Sequence, residues 1–279
     1  MKDLPLRIIS AAVLIAGTVY VVGFAPSWLF VAVQCLMLAG MIWEVATMLE
    51  KKYYIGSKLA PVAGGLTWNL LHFYPKYEGP VLTGLLLGVL CFAMWQKREM
   101  PQRLECLLTV LFASAYPAIL WRPLLGLREL QAGDLLIAHL IAINFSTDSG
   151  AYFAGKLFGR HQLSPQLSPK KTWEGLAGGA ILAMIVSFPM THAAVTAIDA
   201  HLSLPSAWIS VTALLLGIVI ALSGQASDLA ESLLKRASGV KDSGAIIPGH
   251  GGLLDRCDSL LFNIPLVYYY WFYMGARTP

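Results

Sequence analysis

Charge is what this sequence has least of. Asp, Glu, Lys and Arg make up 13% of its 279 residues, whereas 57% are hydrophobic. A soluble domain carries about 25% charged residues, so a water-soluble globule of this size would lack the polar surface to cover itself. A bilayer removes that requirement, because apolar side chains facing lipid need no polar cover. Cysteine is also sparse: Cys35, Cys91, Cys106 and Cys257 are scattered, with no Cys-x-x-Cys pair, which argues against a disulfide framework or a zinc site. The formal net charge is only +4 and no basic or low-complexity tail stands out, so nucleic-acid binding has no support. Walker A and Rossmann glycine fingerprints are missing, and no internal repeat is visible.

What is present is a succession of apolar runs. A hydrocarbon core of ~30 Å needs about 20 residues per crossing. Runs near 6–24, 28–49, 59–73, 80–95, 104–121, 133–147, 173–190, 206–226 and 259–274 supply candidates, the third, fourth, sixth and ninth being short. The expected fold class is all-α, a polytopic transmembrane helical bundle of about nine spans. The first run lacks a clear small-x-small cleavage site and is followed at once by another, so it reads as a retained helix rather than a signal peptide. Trp28, Trp43, Trp68, Trp95, Trp121, Trp173 and Trp208 stand at or near span ends, as interfacial anchors do.

Loop charge gives an independent test of the register. Cytoplasmic loops are enriched in Lys and Arg. With the N-terminus cytoplasmic and the C-terminus outside, sixteen of the twenty basic residues fall on the cytoplasmic side and only Lys76, Arg122, Arg128 and Arg277 on the other. Polarity then divides the chain in two. Residues 1–132 read as N-terminal transmembrane helices with short, plain loops, and residues 133–279 as a C-terminal transmembrane region whose cytoplasmic segments are long and dense in Asp, Lys, Gly and Pro. Long polar loops on a rigid scaffold are where function is usually found.

The segment from Ser227 to Phe262 opens with a stretch free of Gly and Pro, in which Asp228, Glu231, Ser232 and Lys235 fall at i, i+3, i+4 and i+7 on one helical face. A Gly- and Pro-rich loop from Lys241 to Gly252 follows, and Asp255 and Asp258 open the last span. Carboxylates from two helix ends joined by such a loop can converge on a divalent cation that keeps water ligands, which suits magnesium bound to phosphate. An interfacial ion-pair cluster of Asp255, Arg256 and Asp258, with Asp228 as a helix cap, is the plainer alternative. Glycines around His250 would let backbone N–H groups approach an anion, or His250 is merely a turn residue. Upstream, Asp148 sits at the inner end of the sixth span, and Ser168, Lys170, Lys171 and Thr172 precede the seventh. A hydroxyl and two lysines at a helix entry suit phosphate capture, although positive-inside anchoring also explains paired lysines. Gly155, Gly159, Gly175 and Gly179 read as helix-packing positions, and His161 has no partner at metal-ligand spacing.

The run Ser232, Lys235, Arg236, Lys241, Asp242, Pro248, His250, Gly251, Gly252, Asp255, Arg256, Asp258 closely resembles the signature of the phosphatidate cytidylyltransferases, or CDP-diacylglycerol synthases. The stretches 148–152 and 168–175 also look like family segments. Cys257 departs from the usual aliphatic residue, and Ser227 from the Gly that often precedes the first Asp; neither change removes a charged group. The resemblance covers roughly the C-terminal half, and residues 1–132 match only as generic membrane helices. It implies an inner-membrane enzyme with its site at the cytoplasmic face, joining CTP and phosphatidate into CDP-diacylglycerol and pyrophosphate. Two anions are brought together, so a metal and basic side chains must cancel their repulsion.

The same resemblance implies Mg2+ held by Asp228 and Asp255, with Glu231 and Asp258 supporting or holding a second cation, divalent or monovalent. It places Ser232, Lys235 and Arg236 on the phosphates. Asp148, Ser168, Lys170, Lys171, Thr172, Lys241, Asp242, His250 and Arg256 would be further substrate contacts, and a homodimer is the implied assembly. Another lipid phosphate, such as an ether-linked isoprenoid glycerophosphate, would satisfy the same motifs. A transporter would instead place charges near the midplane in paired repeats, and the Asp-Gly-x-x-Ala-Arg motif of CDP-alcohol phosphotransferases is absent.

Overall fold

The computed structural model describes residues 4–198, 205–246 and 251–276. Its elements in chain order are α1 (Leu4–Gly23), α2 (Ser27–Glu50), α3 (Leu59–Leu70), α4 (Glu78–Met94), α5 (Met100–Trp121), α6 (Pro123–Glu129), α7 (Gly133–Phe158), β1 (Gln162–Ser164), β2 (Ser168–Thr172), α8 (Trp173–Ala197), α9 (Ser206–Ala237) and α10 (Leu254–Tyr273). Each apolar run is helical. Among the described residues, five stretches are by themselves long and apolar enough to cross a bilayer: Ser27–Glu50, Pro75–Met94, Met100–Glu129, Trp173–Ala197 and Ser206–Ala237. Three of the remaining runs fall short for physical reasons. Helix α3 has only 12 residues, while α7 and α10 carry Asp134, His139, Asn144 and Asp148, and Asp255, Arg256, Asp258 and Asn263, respectively.

One departure from an all-helical chain is the antiparallel hairpin of β1 and β2, with Gln162 opposite Thr172 and Ser164 opposite Ser168. Pro165 and Pro169 interrupt any helical pattern there, and a Pro fits a two-stranded ribbon because each strand has an open edge. The short α6 was likewise not expected as a separate helix.

The chain forms two compact units, residues 1–122 with 234–257, and residues 123–233 with 258–279. In the first, α2, α3 and α5 pack on one another, with α1 against α2 and α4 against α5. Leu38, Met41, Ile42 and Val45 of α2 and Val110 and Ala113 of α5 are completely buried. Gln34 and Asn69 exchange two amide hydrogen bonds of 2.9 Å, and Trp121 Nε1 donates to the Gln34 carbonyl at 3.2 Å. Paired amides satisfy polar groups that the apolar surroundings would otherwise strand.

In the second unit the most extensive helix pair is α7 with α8. Their seam is made of small residues: a Cβ on Gly150 would stand 2.6 Å from the Gly178 carbonyl, and one on Gly178 would collide with Ala154. Gly155, Gly175 and Gly179 line the same seam, in keeping with their reading as packing positions. Asn144 of α7 donates to Ser259 at 2.9 Å and accepts from Asn263 at 2.7 Å, both on α10.

Overpacking a close helix seam costs roughly 1–3 kcal/mol. Gly178→Val is therefore expected to lower the thermal unfolding midpoint of the protein in detergent, while Gly88→Ala, where nothing lies within 4 Å of an added Cβ, should leave it unchanged or raise it. Equal effects from the two substitutions would contradict the packing account.

Candidate functional site

The polar motifs form two clusters, one in each unit. The first is built at the junction between the end of α9 and the start of α10. Helix α9 ends with Gly239 at φ 72°, where Gly239 N–H donates to the Arg236 carbonyl at 3.1 Å and Val240 N–H to the Lys235 carbonyl at 2.9 Å. This is a Schellman closure, which needs a left-handed residue and so favours glycine. Lys52 Nζ donates to the Ala237 carbonyl at 3.1 Å, meeting a further carbonyl that the helix leaves open. The closure fixes the last turn, and Lys235 reaches Asp255 Oδ1 at 2.7 Å with both side chains nearly buried.

Asp255 lies in the first turn of α10, ahead of the apolar stretch that starts near 259. Its Oδ2 accepts from Ser243 N–H (2.9 Å), the Ser243 hydroxyl (2.8 Å) and Gly252 N–H (3.0 Å). Burial pushes this carboxyl up, and Lys235 with the Ser243 and Gly252 donors more than offsets the burial, holding it at about 2. Arg236 Nη1 donates to the Val240 carbonyl at 3.4 Å. Lys241, Asp242 and Arg256 are exposed. His250 and Pro248 lie outside the described residues.

The second cluster joins α7, β2 and α9. Lys171 Nζ stands 2.5 Å from Asp228 Oδ2, and Asp148 lies within electrostatic range of both. Successive strand residues point to opposite faces: on β2, Lys171 turns inward to Asp228 and Lys170 is exposed. Ser168 opens the strand. The Thr172 hydroxyl accepts from Gly175 N–H at 3.1 Å, which makes it the N-cap of α8. Glu174 ties the hairpin to the helix, accepting from the N–H groups of Arg160 and His161 and meeting His161 Nδ1 at 2.6 Å, so His161 has a structural partner that spacing did not reveal. On α9, Glu231 is fully buried and Ser232 nearly so, and the Ser232 hydroxyl is 3.4 Å from Asp228 Oδ1. On α10, the Asp258 carbonyl accepts from the Ser227 hydroxyl, and Asp258 Oδ1 accepts from Ser259 N–H at 2.7 Å.

Magnesium selects oxygen donors, and the carboxylates of Asp228 and Asp255 are of that kind, each neutralised here by a lysine that a cation would have to replace. Among the described residues no three His, Cys, Asp or Glu side chains are gathered as a ready-made metal cage. Sequence reasoning passed over Ser243, which donates to Asp255, and Glu44, which lies 3.1 Å from the Ser243 hydroxyl. The signal for Glu44 was a lone carboxylate inside a long apolar run.

The cytidylyltransferase family matches residues 5–274. Over 161 residues the chain is 40% identical to a phosphatidate cytidylyltransferase of Bacillus subtilis, covering 57% of this chain and 56% of that protein. It is 41% identical over 162 residues to one of Staphylococcus saprophyticus, covering 58% and 56%. Against one of Haemophilus influenzae it is 37% identical over 142 residues, covering 51% and 47%. The chain thus spans about half the length of the curated relatives it matches.

A carboxyl held below its unfolded value of ~3.9 contributes stability above that value and loses it as pH falls toward the folded value. For Asp255 the contribution is on the order of 2 kcal/mol. Thermal unfolding in detergent is expected to place the wild type above Asp255→Asn by that margin near neutral pH, with the gap closing toward about pH 2. A gap that does not change with pH would show that the ionised carboxylate is not its source.

Proposed function

The chain belongs to the cytidylyltransferase family, and from that premise we propose that it is a membrane enzyme making CDP-diacylglycerol and pyrophosphate from CTP and phosphatidate. The observation that carries the reading is the pairing of lysines with carboxylates on the polar motifs, Lys235 with Asp255 and Lys171 with Asp228. In the reaction an oxygen of the lipid phosphate bonds to the α-phosphorus of CTP, and the bond from that phosphorus to the bridging oxygen of the β-phosphate breaks. Pyrophosphate carries the electron pair away. The lipid phosphate is ionised at neutral pH, so no side chain need remove a proton.

The protein's task is to hold two anions together and to neutralise charge as it moves to the leaving group. Lys171, Lys235 and Arg236 would bind phosphate oxygens, helped by Ser232 and by the exposed Lys170, Lys241 and Arg256. Asp148, Ser168, Asp242 and His250 remain proposed substrate contacts. Thr172 would act through the end of α8 that it caps. Asp228 and Asp255 would hold Mg2+, with Glu231 and Asp258 supporting them or a second cation; bound there, magnesium supplies Lewis-acid polarisation of the phosphate. The buried Glu231 suits a supporting role better than a solvent-facing one.

Loop charge and the apolar runs support an inner-membrane protein of about nine spans with N-terminus and active site at the cytoplasmic face. Family resemblance supports a homodimer. Purified protein in detergent is expected to form CDP-diacylglycerol from labelled CTP and phosphatidate only when magnesium is present. Asp255→Ala and Asp228→Ala should each lower turnover about 100-fold or more. Folded wild type that makes no product would overturn the assignment, whereas full activity in Asp255→Ala would keep the enzyme and remove Asp255 from its site.

A further inference from the structure

Glu44 is 2% exposed and is the only Asp, Glu, Lys, Arg or His between Ser27 and Leu49 of α2. A buried carboxylate without partners costs several kcal/mol, and this one is met by donors from a loop some two hundred residues away in sequence. Oε1 accepts from Leu253 N–H at 2.9 Å and Oε2 from Leu254 N–H at 2.8 Å. The Ser243 hydroxyl lies 3.1 Å from Oε2. Leu253 and Leu254 lead into α10, where first-turn N–H groups have no partner within the helix and where the helix dipole favours negative charge.

The loop is shaped around the carboxylate. A Cβ on Gly252 would stand 2.7 Å from Glu44 Oε2, and one on Gly244 would collide with Oε1 and lie 2.8 Å from Cδ. Side chains at either position would force the cage apart. Ser243 then links Glu44 to Asp255, since its Oγ is 3.1 Å from one carboxylate and 2.8 Å from the other. A hydroxyl has one proton to give, so it donates to one of them at a time. With the Ser243 and Gly252 N–H groups on Asp255 Oδ2, joined by the hydroxyl when it turns that way, the rotamer of Asp255 is set and Oδ1 is the oxygen directed toward Lys235.

We propose that Glu44 is a positioning residue for the cytidylyl-transfer site: it caps α10, holds Ser243 and thereby fixes Asp255 with Oδ1 directed toward the charged reactants. The inference deepens the function proposed above and rests on it for the role of Asp255. Glu44→Gln turns an amide NH2 toward N–H donors, and Ser243→Ala breaks the link while leaving the two backbone bonds to Glu44.

Three readouts test the proposal on the full-length protein in detergent. Hydrogen exchange of the segment 251–257 should accelerate about tenfold or more in Glu44→Gln, and less in Ser243→Ala, with α5 unchanged. Mn2+ binding followed by paramagnetic resonance should weaken about 10–100-fold in both variants. The Mg2+ concentration for half-maximal CDP-diacylglycerol formation should rise by a similar factor, and turnover should recover at saturating Mg2+.

Unchanged cation dependence in both variants would overturn the proposal. So would a loss of activity that excess Mg2+ does not restore, accompanied by faster exchange throughout the chain, because Glu44 would then serve folding alone. If wild type makes no product, the functional reading fails, and the exchange and Mn2+ arms still decide whether Glu44 sets the cation affinity of Asp255.

Discussion

A carboxylate taken out of water has to find donors or cations for its lone pairs, and in a chain that is 57% hydrophobic this requirement governs where acidic residues can stand. Three of them meet it in different ways. Glu44 is matched by two backbone N–H groups that are fixed by the fold, with the Ser243 hydroxyl shared between it and Asp255. Asp228 is matched by the ammonium of Lys171, on a flexible four-carbon stem. Asp255 divides its two oxygens between these solutions, fixed donors on Oδ2 and Lys235 on Oδ1. Fixed donors hold a side chain in place, whereas an ammonium can exchange for another cation. The first arrangement suits a brace and the second suits a group that must receive charged reactants.

The helix ends follow the same electrostatics. Lys235 and Arg236 stand in the last turn of α9 and Asp255 in the first turn of α10, the placements that complement each helix dipole. Gly239 closes one end and Gly252 admits the Glu44 cage at the other. Gly239 is therefore accounted for by a left-handed turn, and Gly244 and Gly252 by close approach to a carboxylate. Both demands are structural, and both leave the polar ends of the two helices defined.

Much of the helical fold was legible because apolar runs long enough to span a bilayer have few alternatives to helix. The hairpin of β1 and β2 was not, since Gln162 to Thr172 is too short for a period-2 pattern to stand out from a polar loop. The N-cap role of Thr172 was not separable from phosphate contact by spacing, since a hydroxyl at a helix start suits either use. Motif residues such as Asp228, Lys235 and Asp255 were legible from charge type and spacing. Their pairings depend on contacts across tens of residues, which no local pattern encodes. Glu44 is the clearest case: its partners are 209 and 210 residues away, so a helix near the start of the chain supplies the brace proposed for a motif near its end.

That brace changes how the resemblance should be weighed. A motif supplies the reacting groups, yet a carboxylate misplaced by about 1 Å can cost about 100-fold in rate, so the residues that immobilise it are as consequential as the motif. The lysine pairs add a second condition. Drawing Lys171 or Lys235 onto an anionic phosphate leaves Asp228 or Asp255 short of a counter-charge in surroundings of low dielectric, where that loss is expensive. On the proposed reading, nucleotide and divalent cation would relieve each other's cost, with Lys171 and Lys235 turning to the phosphates and Asp228 and Asp255 to the cation. Charge balance would then favour their binding together, and the backbone donors on Asp255 Oδ2 would keep that residue in register if its other oxygen changed partner.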